Sequence, residues 1–351
     1  MGGGWALHSS PFRPRGRSSS PGRCRVTSAD ELKGLLAGVD RPVGPSDVFL
    51  VAPLPGDPPY RIGRDSEGSI VLLTPPDPTP DPPTRLRRIS MDPRLRCVVE
   101  TEGRDKVEGD FGVVRLRVGE DELTPAFLDV VLVLIRLIGT SPTDGSVSAA
   151  MRRFVQLFDP STPARGSVLG LWGELFVMAR AADGHKLLDY WHPYVDSRFD
   201  FAGDDFRLDV KATTRDVRLH EFALEQLLPL PSARVLVLSL MTTETNSGTS
   251  VRELVGELES DLANDASRQM TLHHLVAATL GPDWTRSSER CFDVGQAIES
   301  AACLDVDSIP RIAAAPPGVT AVRFRADCTE ARRVCGLDEL IAVLLPVDRV
   351  E

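Results

Sequence analysis

The sequence predicts a mixed α/β chain, and three observations carry that reading. Short β-type runs, bounded by Gly, Pro or Asp clusters, occupy the first third and recur around residues 199–214. Helical patterns follow and separate them, most clearly from Thr124 to about Asp159 and from Ser167 to Arg180. Composition is ordinary for a globular protein, 42% hydrophobic and 26% charged, and 351 residues suffice for one large domain or two of average size around a real core.

Residues 1–29 carry five arginines, many Ser, Gly and Pro, and no acid. With no apolar h-region, a signal peptide is not expected here. They read as a flexible basic tail, either touching nucleic acid or reflecting an overextended start site. Residues 30–123 read as a β-rich N-terminal region, with strands expected at Asp47–Ala52, Ser69–Leu73 and Val113–Val118. Between them, Pro75–Pro83 holds six prolines and reads as an extended, solvated loop. The arginines that follow (Arg85, Arg87, Arg88, Arg94, Arg96) could hold phosphates; a solvated charged face is the simpler reading. Residues 124–161 form a helical connection. Its apolar run, Ala126–Ile138, is too short for a bilayer and contains Asp129 and Arg136, so it reads as a core helix and no membrane partner is expected.

Residues 162–351 hold most of the information. Thr162-Pro163 is a plausible helix start, a threonine cap followed by proline in the first turn. The helix continues as Ser167-Val-Leu-Gly-Leu-Trp-Gly-Glu-Leu-Phe-Val-Met-Ala-Arg180, apolar nearly all round and therefore buried. Glu174 is ionisable and sits at its centre, with Gly170 and Gly173 beside it, so that the carboxylate can approach a neighbouring element; a pairing with an arginine elsewhere is the structural alternative. Two strands then read as a hairpin, Ser197–Ala202 and Phe206–Thr214, joined through Gly203-Asp204-Asp205. In the second strand Phe206, Leu208, Val210 and Ala212 alternate with Arg207, Asp209, Lys211 and Thr213. Further on, an amphipathic helix is expected from Ser247 to about Ala266, a strand at Val319–Arg325 and a final helix near Leu337–Leu345.

Pairing the hairpin strands places Asp200 beside Asp209 and Lys211. A strand with one wet face shows the same alternation. Against that, two carboxylates and an ammonium converge on one face, with a third carboxylate on the buried helix upstream. Such a cluster repels itself unless a cation sits in it, and carboxylate oxygens in this number suit Mg2+ or Mn2+ rather than Zn2+. Only four of the forty basic residues are lysines, so an ammonium at Lys211 invites a chemical reason. Weaker candidates are His220, which lies on the next segment, the threonines Thr213 and Thr214, and the adjacent His273-His274, whose side chains point apart on a helix. No P-loop motif is present.

The order Glu174, Asp200, then Asp209-x-Lys211 resembles the PD-(D/E)xK nuclease superfamily. Gly170-Leu-Trp-Gly-Glu-Leu175, Phe199-Asp-Phe201, Leu208–Thr213, His220–Leu227, Ile309-Pro-Arg-Ile312 and Val319–Arg325 resemble a bacterial branch of it, the PD-(D/E)xK motif proteins found among phage-defence and restriction genes. The resemblance implies a restriction-endonuclease-like core, a mixed central sheet flanked by helices, and a metal-dependent DNA endonuclease. It implies that Asp200 and Asp209 hold one or two Mg2+ (or Mn2+) ions, with Glu174 and the Val210 carbonyl as further ligands, and that Lys211 orients or deprotonates the attacking water. Gln226 resembles the downstream glutamine of several nuclease branches, which orients substrate or a metal-bound water; a surface glutamine at a strand-to-helix junction is the alternative. Phe199 stands where the motif's name has proline, and Asp209 where Glu is common.

Expected partners are DNA and proteins of a defence system, with a homodimer as a further option for cutting both strands. A catalytically weak binding or scaffold subunit and a repair or recombination nuclease are the competing functions. The six dispersed cysteines, without zinc spacing or a secretory signal, suggest reduced thiols and a cytoplasmic location. A net charge of −10 argues against a coat of nucleic-acid-binding charge and leaves room for a local basic groove.

Overall fold

The computed structural model describes residues 28–344, apart from 46, 56–59, 102–104, 159–163, 182, 193–197 and 231–232. The expected basic tail as far as Thr27 and the Thr162-Pro163 helix start lie outside these residues, while Ser28 and Ala29, the last two of that tail, already cap and begin a helix.

The first part of the chain forms α1 (Ala29–Ala37), β1 (Val48–Pro53), β2 (Arg61–Asp65), β3 (Ile70–Thr74), β4 (Thr84–Arg85), β5 (Ile89–Glu100) and β6 (Lys106–Leu116). The strands run in the order β1-β2-β3-β6-β5-β4, and β1 also pairs in parallel with the end of β5, Phe49 opposite Val99, which closes the sheet into a small barrel. Phe49, Val51, Val71, Leu73, Cys97, Val99 and Val113 fill its interior. The sequence anticipated β1, β3 and the end of β6 but not α1, β2 or β5. Pro93 and a register shift between Asp92 and Leu95 interrupt the alternation of β5, and such a break hides a strand from a period-two search.

Four of the five arginines of this cluster pair with acids: Arg85 with Asp92 at 2.8 Å, Arg88 with Glu120 at 3.5 Å, Arg94 with Asp110 at 3.5 Å and Arg96 with Glu108 at 3.0 Å. That is the charged-face arrangement, not a phosphate cradle.

Pro75–Pro83 is irregular, as expected, but not wholly solvated. Asp77 is fully buried and accepts hydrogen bonds from the backbone N–H of Gly145 (2.9 Å) and Ser148 (2.7 Å) and from Ser148 Oγ (2.8 Å). It thereby satisfies the open amides at the start of α3 (Ser146–Gln156), which has no capping side chain of its own. Burial pushes the Asp77 carboxyl up, but the hydrogen bonds from Ser148, Gly145 and Thr79 together outweigh it and hold the group below its ordinary value of 3.8. Asp77→Ala is expected to lower stability by about 3 kcal/mol in chemical denaturation. Because the folded pKa lies below the unfolded one, Asp77 contributes fully above about pH 4, and the contribution disappears as pH falls through the folded value. The difference between variant and wild type should therefore shrink only in that acid window.

The helix α2 (Thr124–Ile138) is a core helix, nine of its residues being buried. Its two charged residues find partners at its edge, Asp129 with Arg252 (2.9 Å) and Arg136 with Gln269 (2.9 Å).

The remaining elements are α4 (Val168–Arg180), α5 (Gly184–Leu187), β7 (Phe201–Ala202), β8 (Phe206–Thr213), β9 (Leu219–Ala223), β10 (Arg234–Met241), β11 (Glu244–Ser250), α6 (Val251–Asp261), α7 (Ala266–Leu280), α8 (Trp284–Ser287), β12 (Cys291–Phe292), α9 (Val294–Ser300), β13 (Ala302–Leu304), β14 (Arg323–Asp327), β15 (Arg333–Cys335) and α10 (Leu337–Leu344). Five of the strands make a mixed sheet in the order β15-β13-β10-β8-β7, in which only β8 and β10 are parallel. The expected mixed α/β architecture, sheets flanked by helices, is therefore what forms. Leu208, Val210, Leu236, Leu238 and Leu240 face the helical side of this sheet, where α4, α6 and α7 pack, and join a core that runs on into the N-terminal barrel. The opposite face, with Val237, Ala302 and Leu304, is covered by a ribbon of β9 and β14, paired with Phe324 opposite Phe222.

Three boundaries differ from expectation. The helix expected from Ser247 starts at Val251, because Ser247, Gly248 and Thr249 continue β11 and Ser250 caps the helix in a reciprocal capping box with Glu253. The C-terminal strand starts at Arg323, where pairing with β9 begins. The first hairpin strand is only Phe201–Ala202. Asp200 precedes it because its carbonyl accepts from His192 N (2.9 Å) and its side chain, not a strand carbonyl, takes the Val210 N–H (2.7 Å). Among the described residues, no helix is long and apolar enough to cross a membrane.

Candidate metal and catalytic site

The helix α4 is set by Ser167, whose side chain accepts from Gly170 N–H at 3.0 Å. Gly173 faces the sheet: a β-carbon there would stand 3.3 Å from Ala212 and 3.4 Å from Val210. The missing side chain lets the helix axis settle close to β8, and Glu174, one residue on, is carried over the sheet edge where β7 ends. Gly170 meets nothing beyond Ser167 Oγ and borders an open cleft. So Gly173 gives the close approach inferred from sequence, and Gly170 leaves room.

Glu174 is 7% exposed. Its partners are not arginines. Oε2 accepts from Trp191 Nε1 at 2.7 Å and lies 2.9 Å from His192 Nε2. Glu174, His192 and Asp200 bring one ligand atom each within 4.8 Å of one another. Asp200 is partly exposed, and burial, followed by the charges of Glu174 and Asp209, pushes its carboxyl well above the ordinary 3.8.

Asp209 and Lys211 lie on the ribbon side of β8. Asp209 is fully buried; Oδ2 pairs with Lys211 Nζ at 2.8 Å and Oδ1 accepts from Gln226 Nε2 at 2.8 Å. Burial raises the Asp209 carboxyl, and the adjacent ammonium compensates only in part. Lys211 Nζ also sits 5.3 Å from the ring centroid of Phe222 on β9. For Lys211, burial acts to lower the pKa, yet the carboxylates of Asp209 and Asp200 more than offset it and the ammonium is held above its ordinary 10.5. With its acidic neighbours in place, Lys211 is held as an ammonium.

Gln226 is not a surface glutamine. It is 9% exposed, donates from Nε2 to Asp209 and to the Arg198 carbonyl (2.9 Å), and accepts the Ala223 N–H at Oε1 (2.8 Å). Val210 lines the cleft, and its amide is committed to Asp200. Glu174, His192, Asp200, Asp209, Lys211 and Gln226 all border one cleft of about 1290 Å³, whose rim carries Arg165, Arg198 and Arg323.

The weaker candidates separate from this centre. His220 borders the cleft but is buried, bonds Ser239 Oγ at 2.7 Å, and is pushed down to about 4 by burial and by Lys211 and Arg218, so it is neutral near pH 7. His273 pairs with Glu259 at 2.9 Å on α7. Thr213 Oγ1 accepts from Arg215 N in its own turn. His192 was not singled out from sequence. Its backbone has φ = +42°, a left-handed conformation that few non-glycine residues adopt, and only the tertiary fold turns its ring toward Glu174.

One family model, described as "Putative PD-(D/E)XK family member, (DUF4420)", matches residues 55–329. No curated protein and no solved structure matches the chain.

Proposed function

The chain belongs to the DUF4420 family of PD-(D/E)XK proteins, and from that premise we propose that it is a divalent-cation-dependent DNA endonuclease acting in a bacterial restriction or phage-defence system. The observation that carries the proposal is the cleft in which Glu174, Asp200, Asp209 and Lys211 meet beneath an arginine rim.

The residues fit a divalent cation. Glu174 and Asp200 present buried or half-buried carboxylates with ligand atoms within 4.8 Å, and a cation there would offset the burial and the carboxylate repulsion that raise the Asp200 carboxyl. In this reading Asp200 and Glu174 hold the ion, with Asp209 as the neighbouring carboxylate. A bound Mg2+ or Mn2+ supplies Lewis-acid polarisation of the scissile phosphate and a more acidic water. Lys211, held protonated, orients the water and stabilises the extra negative charge on phosphorus. Asp209 holds Lys211 in place, and Gln226 holds Asp209. Arg165 and Arg198 contact the DNA backbone, with Arg323 beside them paired to Glu221 at 3.8 Å, which is how a chain of net charge −10 can still engage a polyanion.

The test is cleavage of linear, supercoiled and single-stranded DNA with Mg2+ or Mn2+, with Asp200→Ala and Lys211→Ala run alongside. Cleavage by the wild type alone supports the assignment, and preference for single-stranded or branched DNA would redirect it to repair. Activity that survives both substitutions, or no activity in any protein, overturns it. Gln226→Ala is expected to lower turnover by about tenfold, since it removes a positioning bond rather than a charge; single-turnover rates with saturating DNA check this.

A further inference from the structure

We propose that His192 is a direct cation ligand, completing with Glu174 and Asp200 a mixed nitrogen–oxygen seat that favours Mn2+ over Mg2+. The inference rests on the nuclease reading only in assuming that a divalent cation binds this cleft.

Three geometric observations support it. First, His192 Nε2 and Glu174 Oε2 are 2.9 Å apart. Two ligands at right angles about an ion, each about 2.1 Å from it, are about 3 Å apart. With an Asp200 oxygen, the three atoms fit within 4.8 Å, close to the diameter of one coordination sphere. Second, among the described residues it is these three groups, two carboxylates and an imidazole, that bring one ligand atom each together; Asp209, paired with Lys211 and Gln226 at 2.8 Å each, stands beside them.

Third, the local chain is arranged to aim this ring. His192 adopts φ = +42° while its N–H donates to the Asp200 carbonyl. The preceding Trp191 is 2% exposed and bonds the same Glu174 oxygen. A left-handed histidine is an uncommon conformation, and the hydrogen bond across to Asp200 ties the ring-bearing residue to the carboxylate it would share an ion with. The ring is also accessible, its side chain being 26% exposed and bordering the cleft.

Ligand chemistry then ranks the two ions. Mg2+ prefers an all-oxygen sphere and keeps several waters, whereas Mn2+, a first-row transition ion although the weakest binder of that series, accepts a nitrogen ligand more readily. Ion binding would use the Nε2 lone pair, leaving Nδ1 to carry the ring proton, and shared coordination would replace the contact with Glu174.

The experiment measures metal binding rather than cleavage. Titration calorimetry with Mn2+ and with Mg2+ alone is run on the full chain, on His192→Ala and on Asp200→Ala, and pulsed EPR on the Mn2+-loaded proteins looks for nitrogen-14 modulation. The wild type is expected to bind Mn2+ at least about tenfold more tightly than Mg2+ and to show imidazole modulation. His192→Ala should lose the modulation and about tenfold in Mn2+ affinity while Mg2+ affinity changes by less than about threefold. Asp200→Ala should weaken both ions. Mn2+ bound without nitrogen modulation in the wild type overturns the proposal, and that measurement does not depend on any variant folding. Modulation that persists in His192→Ala also overturns it. DNA cleavage with no nitrogen signal would leave the nuclease reading standing and this inference refuted; a nitrogen signal without cleavage would do the reverse.

Discussion

Lys211→Met is expected to lower DNA cleavage by about 10³-fold and to cost about 3 kcal/mol of folding stability. The two effects have different origins. For cleavage, the variant removes the one lysine that borders the cleft, the charge that the proposed mechanism uses against developing negative charge at phosphorus. For stability, the loss falls on Asp209. That carboxylate is fully buried, one oxygen faces Lys211 at 2.8 Å and the other faces Gln226 at 2.8 Å. Without the ammonium, a buried charge is left with a single amide, and breaking one half of a buried pair costs more than the pair itself contributes. The methionine keeps much of the contact with the Phe222 ring, so packing contributes little to the difference.

The double variant Asp209→Asn, Lys211→Met separates the effects. It removes both charges, so it should recover most of the lost stability in urea denaturation and none of the cleavage. A single variant that cleaves at the wild-type rate would remove Lys211 from the chemistry. A double variant no more stable than the single one would show that the ion pair does not account for the loss.

How much of this site is legible in the sequence depends on how local each contact is. Asp209 and Lys211 are two residues apart on one strand, so period-two alternation places them together without any tertiary knowledge. Glu174 is legible as an acid in the middle of an apolar helix, and Gly173 as the reason the helix can lie close to β8. Asp200 is legible through the hairpin, although its strand is shorter than its alternation suggests. His192 is not legible in this way. Its orientation depends on a left-handed turn and on a partner eight residues ahead whose own position is set by β8. A histidine directly after a buried tryptophan, just upstream of the aspartate, is the only trace it leaves.

Gln226 illustrates the intermediate case. A family likeness points to it, but its bond to Asp209 exists because the ribbon of β9 and β14 folds over the face that carries Asp209 and Lys211. Alternation alone leaves that face open to water. The N-terminal barrel shows the same limit: the parallel closure of β1 on β5 joins residues about fifty apart, such as Val48 and Val98, and no local pattern encodes such a pairing. The arginines of β5 were easier, because alternating charges on a wet strand find acids on the neighbouring strand.

Asp200→Asn is the variant expected to cross over in stability with the wild type. Burial and then the charges of Glu174 and Asp209 hold the Asp200 carboxyl well above 3.8, which means that in the cation-free protein the ionised group works against folding. An asparagine keeps an oxygen to accept the Val210 N–H and removes the repulsion, so the cation-free variant should be more stable by about 1 kcal/mol near pH 7. The sign fixes the pH dependence. A carboxyl whose folded pKa is raised has no destabilising effect below its unfolded value near 4; the penalty grows as pH rises from there toward the folded value. The gap between variant and wild type should open over that interval and be absent below it.

Adding Mn2+ or Mg2+ should reverse the order. At a hundredfold excess over its dissociation constant, a cation that binds only the folded wild type adds about 2.7 kcal/mol, more than the substitution contributes, while the variant has lost an anionic ligand and gains little. Thermal melts of both proteins in EDTA and in excess cation check the crossing, and cleavage should follow the metal-loaded order, not the cation-free one. If Asp200→Asn melts below the wild type in EDTA, the carboxylates are not in mutual repulsion. If both proteins gain equally from cation, the ion binds somewhere other than the cleft where Asp200 meets Glu174.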